Sequence, residues 1–336
     1  MTESRKFASL LFAAACLLAA TGRLHAAAAS TDLRPDIQHL FDGGHYQDAV
    51  NALQPEALEE PQNASVQFWL GRSFYELRDY ARSISSFERA TAIESNNSEF
   101  HDWLGKACGR KAEETGRLSA FSALALARRT HREFETAVQL DRRNLEAQRD
   151  LIRFLLNAPG ILGGGEERAL QQIADLALVD STEGDLARAE FFAVKKDFDR
   201  AGQQYQEILQ SKPKRLGICL EAAEYYRDRG DGTGMQHAVD EATMLAPSDR
   251  LLEYYRGVAR VLTKQDAPDA EKDLRAYLDN VPDSSEAPPH ASAHEWLGRL
   301  YEDQKLNERA AAEYKAAIAL DPRDKDLRDD LKRVEK

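Results

Sequence analysis

Apolar side chains recur along the chain every three or four residues, which is the spacing of amphipathic helices, and strand-like alternation is absent. Two such stripes follow one another near the C-terminus. The first contains Leu297, Gly298 and Tyr301, and the second contains Ala310 and Tyr314. This pattern predicts two helices packed against each other, because the small residues allow close approach and the tyrosines fill the space beside them.

The helical pattern repeats at an interval of 34 residues. Trp-Leu-Gly at 69–71 recurs at 103–105, and Pro213 and Pro247 have the same separation. A proline cannot continue the preceding helix, so it ends each unit with a turn. Since one helix pair buries too little apolar surface to be stable alone, the repetition predicts a stack of pairs with a continuous core.

The last unit resembles the tetratricopeptide repeat (TPR), in which Leu-Gly and an aromatic residue precede Ala, a second aromatic residue and Ala. Its matching residues are Trp296, Leu297, Gly298, Tyr301, Ala310, Tyr314, Ala317 and Pro322. About eight such units fit the chain. The resemblance implies an all-α, right-handed superhelical solenoid of helix hairpins over residues 30–283. A last unit and a C-terminal capping helix follow at 293–336.

The third unit is longer than the others. Twenty-nine residues separate Gly105 from Phe134, whereas 16 separate Gly71 from Phe87. The added residues keep a helical apolar face, which predicts an extended helix around residues 112–130.

The fourth unit contains a Gly-rich loop at 157–165. A long unit followed by such a loop resembles bacterial TPR proteins of unassigned role. Both additions fall at the turn between the two helices of their unit. We therefore expect the loop to cover the extended helix, with Ile161 and Leu162 on Leu118 and Phe121.

A Gly-rich loop before a helix also suggests a phosphate-binding site. A phosphate loop of that kind continues with Gly-Lys-Ser/Thr. Here Glu166 and Glu167 follow three glycines instead, and their charge repels phosphate. The loop is interpreted as a structural turn, and no cofactor is predicted.

Residues 1–29 have the pattern of an export signal. Arg5 and Lys6 precede an apolar run from Phe7 to Ala20, and small residues at 26–29 suit a cleavage site. The run is shorter than the roughly 20 residues that span a bilayer as a helix. We expect an exported, periplasmic protein whose mature chain has no transmembrane segment.

Cys16 leaves a lipid-anchored envelope protein as an alternative. A bacterial lipoprotein signal places a leucine shortly before its cysteine, whereas Phe12 to Ala15 precede this one. The apolar run also continues past Cys16 with Leu17 and Leu18. These neighbours favour a cysteine inside the signal rather than a lipid attachment site.

The charge composition limits the classes of partner that the chain is expected to bind. The 336 residues include 45 Lys and Arg against 57 Asp and Glu, a net charge of −12, which argues against nucleic-acid binding. Residues 284–292 contain Pro288 and Pro289 and are predicted to form a linker before the last unit.

Few residues suggest catalysis. His290 and His294 have the i, i+4 spacing of two metal ligands, but the sequence places no third ligand beside them. Cys108 and Cys219 occupy apolar stripes and are expected to be buried free thiols. No nucleophile motif occurs. No catalytic or metal site is predicted, and the chain is predicted not to be an enzyme. A metal-dependent or hydrolytic enzyme that uses the insert region is the alternative from a different class.

In TPR proteins the first helix of each unit supplies most of the inner surface. The resemblance therefore implies an interaction scaffold that binds a peptide or protein along this face. An assembly factor for a pilus, secretion apparatus or outer-membrane complex is the alternative. The candidate partner-binding residues are Phe68, Trp69, Arg72, Tyr75, Asp102, Trp103, Lys106, Arg110, Tyr254, Tyr255, Trp296 and Arg299.

Two questions about this face stay open at the sequence level. Each tryptophan either contacts a partner or packs against the neighbouring unit. Arg72 and Lys106 permit an acidic extended ligand, whereas the asparagines of the Lys/Asn clamp that binds peptide C-termini are missing.

Overall fold

The computed structural model describes residues 34–116 and 119–336. In these ranges the chain forms 17 α-helices and one short 3-10 turn, and it contains no strand. The predicted all-α helical-repeat fold is confirmed. The predicted signal at 1–29, with Cys16, lies outside the described residues.

The described chain divides into two compact units. The first unit covers residues 34–204. Its helices are α1 (Pro35–Asp42), α2 (Tyr46–Glu59), α3 (Ala64–Glu76), α4 (Tyr80–Ile93), α5 (Ser98–Thr115), α6 (Ala120–Leu140), α7 (Leu145–Asn157), α8 (Glu166–Val179) and α9 (Ser181–Val194).

The second unit covers residues 205–336, and α10 (Phe198–Gln210) crosses the division between the units. Its other helices are α11 (Leu216–Asp228), α12 (Gly232–Leu245), α13 (Leu251–Thr263), α14 (Ala267–Asn280), α15 (His290–Asp303), α16 (Asn307–Leu320) and α17 (Lys325–Val334).

Glycines on first helices bring the two helices of a hairpin together. A Cβ added at Gly105 of α5 would lie 2.6 Å from the Phe134 ring of α6. A Cβ at Gly298 of α15 would lie 2.6 Å from the Tyr314 ring of α16. Both distances are too short for real atoms, so only glycine permits this approach. The Gly and aromatic positions of the repeat pattern are therefore packing partners in both units.

First helices of successive hairpins also contact each other. In the first unit α3 contacts α5, α5 contacts α7, and α7 contacts α9. In the second unit α11 contacts α13, and α13 contacts α15. Each unit therefore has one surface built from first helices, which we call its first-helix face.

The added length of the third hairpin is shared between two helices. α5 has 18 residues and α6 has 21, and the described chain between them turns at Gly116. The prediction of one extended helix around 112–130 is corrected accordingly.

The loop of the fourth hairpin covers this region with one side chain. Leu162 is buried against Ala112 and Ala127. Ile161 and Phe121 are 70% and 83% exposed, so the prediction that they cover each other is wrong. Leu118 lies outside the described residues.

The segment between α14 and α15 is held by specific contacts. The Tyr277 hydroxyl donates to the Pro288 carbonyl, and the backbone N–H of His290 donates to Asp283 at 3.2 Å. Ala287 and Pro288 are buried. In the described structure these residues form an anchored connection.

Candidate functional site

A continuous chain of charged side chains crosses the first-helix face of residues 34–204. Its members lie on α5, α7 and α9, three first helices that contact in sequence. Helical spacing places each set on one side of its helix. We call these residues the charged ladder: Asp102, Lys106, Glu146, Arg149, Asp150, Arg153, Glu183 and Glu190.

Lys106 joins α5 to α7. Its Nζ lies 2.9 Å from Asp102 on its own helix, 3.0 Å from Glu146 and 3.2 Å from Asp150. One ammonium group therefore contacts three carboxylates. These carboxylates raise the pKa of Lys106 well above its ordinary value, although burial opposes the shift.

Two arginines continue the ladder from α7 to α9. Arg149 donates to Glu183 at 3.1 Å and to Glu190 at 3.0 Å. Arg153 donates to both oxygens of Glu190, at 3.2 and 3.3 Å, and lies 3.5 Å from Asp150. Glu190 therefore receives two guanidinium groups, and both arginines lower its pKa against the effect of burial.

The pKa values of the buried Asp102 and Asp150 shift in the opposite direction from the pKa of Glu190. Burial, reinforced by the neighbouring carboxylates, raises the pKa of Asp102 to about 8 and also raises that of Asp150. Lys106 opposes both shifts without cancelling them. By contrast, Lys106 lowers the pKa of Glu146 against partial desolvation, and the Glu146 side chain is 37% exposed. The ladder therefore has a protonatable interior and an ionised rim.

Aromatic rings adjoin the α5 end of the ladder. The guanidinium carbon of Arg72 lies 3.7 Å from the Trp103 ring centroid and 5.4 Å from that of Trp69. Lys106 Nζ lies 4.6 Å from the Trp103 centroid. A cation over an indole face is favourable by roughly 0.5–2 kcal/mol. The buried Trp69 Nε1 donates no hydrogen bond.

The structure brings five of the predicted partner-binding residues together, namely Trp69, Arg72, Asp102, Trp103 and Lys106. It places Phe68 and Tyr75 in the apolar core beside them, because they pack against the next hairpin, and the buried Trp103 ring belongs to the same cluster. Phe68 is fully buried, Tyr75 is 7% exposed and Trp103 is 9% exposed, so all three are packing residues, which corrects their assignment as surface contacts.

Arg110, also predicted as a partner-binding residue, lies one turn beyond Lys106. It donates to the Tyr80 hydroxyl at 3.3 Å and to Glu113 at 3.0 Å, and about a quarter of its side chain is exposed. Lys106 itself is occupied by three carboxylates. It is therefore unavailable as a binding group for the acidic ligand that the sequence permitted.

The predicted residues of the second unit are mostly packing residues. Tyr254 and Tyr255 are fully buried, and Trp296 is buried as well. The Tyr255 hydroxyl donates to Glu224 at 2.8 Å, and that of Tyr254 lies 2.8 Å from Ser292 Oγ. This burial corrects their assignment as surface contacts.

Arg299 is the exposed member of the second-unit set. Its guanidinium carbon lies 4.6 Å from the Trp296 ring centroid, and it pairs with Glu295 at 2.6 Å. It is a partly exposed cation on α15, a first helix of residues 205–336.

Sequence reasoning missed six members of the ladder. The fourth hairpin matches the TPR pattern weakly, so its charges resembled those of a solvated helix face. The spacing of i, i+3, i+4 and i+7 on α7 was the available signal, because it places all four charges on one side. The missed residues are Glu146, Arg149, Asp150, Arg153, Glu183 and Glu190.

The other candidate chemistry is used within the fold. His294 Nδ1 contacts Glu313 at 2.7 Å, and His290 Nε2 contacts the Val281 carbonyl at 2.7 Å, so the two rings have separate partners. No group of three His, Cys, Asp or Glu side chains in residues 34–116 and 119–336 has the geometry of a metal site. Cys108 and Cys219 are buried and free, as predicted.

The backbone N–H groups of the Gly-rich loop donate hydrogen bonds within their own hairpin. The N–H groups of Gly163, Gly164 and Gly165 donate to the carbonyls of Gly160, Pro159 and Leu155. A Cβ at Gly164 would lie 1.7 Å from the Ala158 carbonyl oxygen, and Gly163 has a φ of +104°. These glycines permit a tight turn, and no amide of the three is left to bind phosphate.

A tetratricopeptide repeat family model matches residues 37–98 and 260–325. These segments contain the hairpins α1–α2 and α3–α4 and most of the region from α13 to α16. With the glycine–ring packing described above, the match identifies the chain as a tetratricopeptide repeat protein. The sequence matches no curated protein.

Solved structures share the fold at low sequence identity. The human IFIT1 dimer with PPP-AAAA is 16% identical, with 89% of this chain and 72% of that chain covered and a TM-score of 0.51. A tetratricopeptide repeat protein from Parabacteroides merdae is also 16% identical, with 86% of this chain and 100% of that chain covered and a TM-score of 0.47. At such identity, similarity concerns the fold alone.

Among the described residues, every helix is too short or too polar to span a membrane.

Proposed function

We propose that this TPR protein is a non-enzymatic scaffold that binds an extended segment of a partner protein on the first-helix face of residues 34–204. The observation that carries the proposal is the position of the partly exposed Trp69 on the same face as the charged ladder with its exposed rim at Glu146, on contacting first helices. Tryptophan and arginine are enriched in the small group of residues that dominate binding energy at protein interfaces. The TPR fold is typical of proteins that bind other proteins.

Site-specific photo-crosslinking in the source organism tests the location of binding. We expect a crosslinker at Glu146, on the exposed rim of the ladder, to trap a partner. The same group at Glu167, which is exposed near the start of α8, provides the control. Equal trapping at the two positions, or none at Glu146, would contradict the proposal.

Export is a second part of the proposal. Its support is the sequence pattern of residues 1–29, with two positive residues, an apolar run and small residues in order. We expect the protein from the periplasmic fraction to lack its first 26 to 29 residues. Mass spectrometry of its N-terminal peptide decides this, and an intact N-terminus in the cytoplasmic fraction would contradict it.

The identity of the trapped partner then distinguishes two forms of the scaffold. A subunit of a pilus, secretion apparatus or outer-membrane complex would favour an assembly factor. A single free protein would favour a simple binding module.

A further inference from the structure

His101, near the start of α5, has a hydrogen-bond acceptor at each of its two ring nitrogens. Its Nδ1 lies 2.8 Å from a carboxylate oxygen of Glu133 on α6, and its Nε2 lies 3.1 Å from the backbone carbonyl oxygen of Ser95. A neutral imidazole carries one N–H, whereas an imidazolium ion carries two. Because both partners accept, the geometry fits a protonated ring.

Glu133 is an ionised acceptor. Its other oxygen lies 3.5 Å from Arg129 Nε, and Arg129 also pairs with Glu88 on α4. Burial favours the neutral acid, but the hydrogen bond from His101 and the charges of His101 and Arg129 outweigh it and lower the pKa of Glu133. These four groups alternate in charge, and their sum is neutral only while His101 is protonated.

The same charges hold α4 and the turn that follows it. Ser95 lies in the turn between α4 and α5, where its carbonyl accepts from His101. Glu88, on α4 itself, is held by an arginine of α6. The acid of the turn, Glu94, accepts a hydrogen bond from Asn97 at 3.3 Å. The His101 ring therefore completes a connection from α6 back to this turn.

The surroundings of His101 favour its charged form. The hydrogen bond to Glu133 raises the pKa of His101 above its ordinary value of 6.5, and the Ser95 carbonyl adds to this effect, whereas burial opposes it. The neighbouring acid on α5, Asp102, pairs with Lys106 at 2.9 Å. The stabilisation that the proton provides is complete below pH 6.5 and is lost as pH rises through the raised pKa.

We propose that His101 is a pH-dependent switch that holds the turn between α4 and α5 against α6 while its ring is protonated. The carboxylate is the stronger acceptor, so Nδ1 keeps its N–H when the proton is lost. Nε2 then presents a lone pair to the Ser95 carbonyl, which repels it. Because the side chain is 14% exposed, little water is present to replace the lost donor. The junction between the second and third hairpins therefore loosens as pH rises.

Proton–nitrogen NMR of the histidine rings in the full chain tests the protonation state, with His101→Gln to assign the signal. We expect both ring nitrogens of His101 to titrate with a midpoint above 6.5. Glu133→Gln should lower this midpoint, because an amide offers the ring no negative charge. A midpoint at or below 6.5, or equal midpoints in the wild type and Glu133→Gln, would overturn the inference.

Hydrogen exchange read by mass spectrometry tests the release of the turn. After correction for the intrinsic effect of pH, we expect residues 94–98 to exchange about tenfold faster above the His101 midpoint than below it, as for one lost hydrogen bond to a charged group. His101→Gln should abolish this difference. His237→Gln, at a half-exposed histidine of α12, is the matched control and should preserve it.

Two results of the exchange experiment would contradict the switch. One is equal exchange of the wild-type turn on both sides of the midpoint, and the other is a difference that persists in His101→Gln. Neither measurement involves a partner, so the inference stands or falls independently of the proposed scaffold function.

Discussion

The two first-helix faces of the molecule use their polar groups differently. On residues 34–204, Asp102 and Asp150 are buried and share the single ammonium group of Lys106, at 2.9 and 3.2 Å. On residues 205–336, the hydroxyls of Tyr254 and Tyr255 are buried with partners at 2.8 Å. Equivalent helices of one repeat type therefore carry a buried network of carboxylates and cations in one unit and buried tyrosine hydroxyls with partners in the other.

The largest expected effect is the loss of the ammonium group in the first unit. Lys106→Met leaves Asp102, Glu146 and Asp150 without their common cation, which we expect to cost about 3–5 kcal/mol of unfolding free energy. Urea unfolding at pH 7 measures it. Adding Asp102→Asn and Asp150→Asn to the same chain should restore much of the loss, because the uncompensated charges are then removed. A Lys106→Met chain as stable as the wild type would show that the ladder carries no buried charge.

The second unit should lose stability when one hydroxyl is removed. Tyr255→Phe leaves the buried Glu224 without the donor that it has at 2.8 Å, and we expect a cost of about 1–3 kcal/mol. Urea unfolding measures the cost, and crosslinking of a partner at Glu146 in the first unit should not change. A neutral effect on stability would indicate that Glu224 has an adequate donor elsewhere.

In the first unit, replacing one buried acid by its amide should raise the free energy of unfolding rather than lower it. The pKa of Asp102 is about 8 in the folded chain, against an ordinary value of 3.8. The folded chain therefore keeps a proton that the unfolded chain releases, and the contribution of Asp102 to stability falls as pH rises from about 4 to 8. Asp102→Asn removes this dependence.

We expect the stability of Asp102→Asn relative to the wild type to be higher at pH 9 than at pH 5, because only the wild type releases this proton in its folded state over that range. Urea unfolding at both pH values measures the difference. Asp199→Asn, at an exposed acid of α10, should show no such trend. A constant difference between Asp102→Asn and the wild type at the two pH values would refute the assignment of a raised pKa.

The smallest effect is expected at the exposed cation of the second unit. Arg299→Gln removes a contact with the Trp296 ring and an ion pair with Glu295. Because the Arg299 side chain is 44% exposed, we expect a loss of at most about 0.5 kcal/mol in thermal unfolding. A loss above that range would place Arg299 among the structural residues.

The sequence carried enough information for the repeat fold and only part of the site. Gly105 and Gly298 recur with their aromatic partners, and a steric requirement of that kind is visible as residue spacing. The burial of Tyr254 and Tyr255 was not visible, because a tyrosine on a first helix has the same spacing in a groove and in a core.

The charged ladder shows a second limit. Glu146 and Arg149 have the spacing of ordinary solvated charges, and only contact between α7 and its neighbouring first helices turns them into a network. The exposed Ile161 and Phe121 show the same limit for apolar residues. Periodicity identifies a face, whereas the neighbouring helices determine what covers it.

Each unit contains one free thiol, Cys108 in α5 and Cys219 in α11. Burial raises the pKa of each to about 12, so neither is a reactive thiolate in the folded chain. An alkylating reagent reaches either sulfur only after the surrounding helices separate. Timed alkylation followed by peptide mass analysis would therefore report the opening of the two halves independently, within one unaltered molecule.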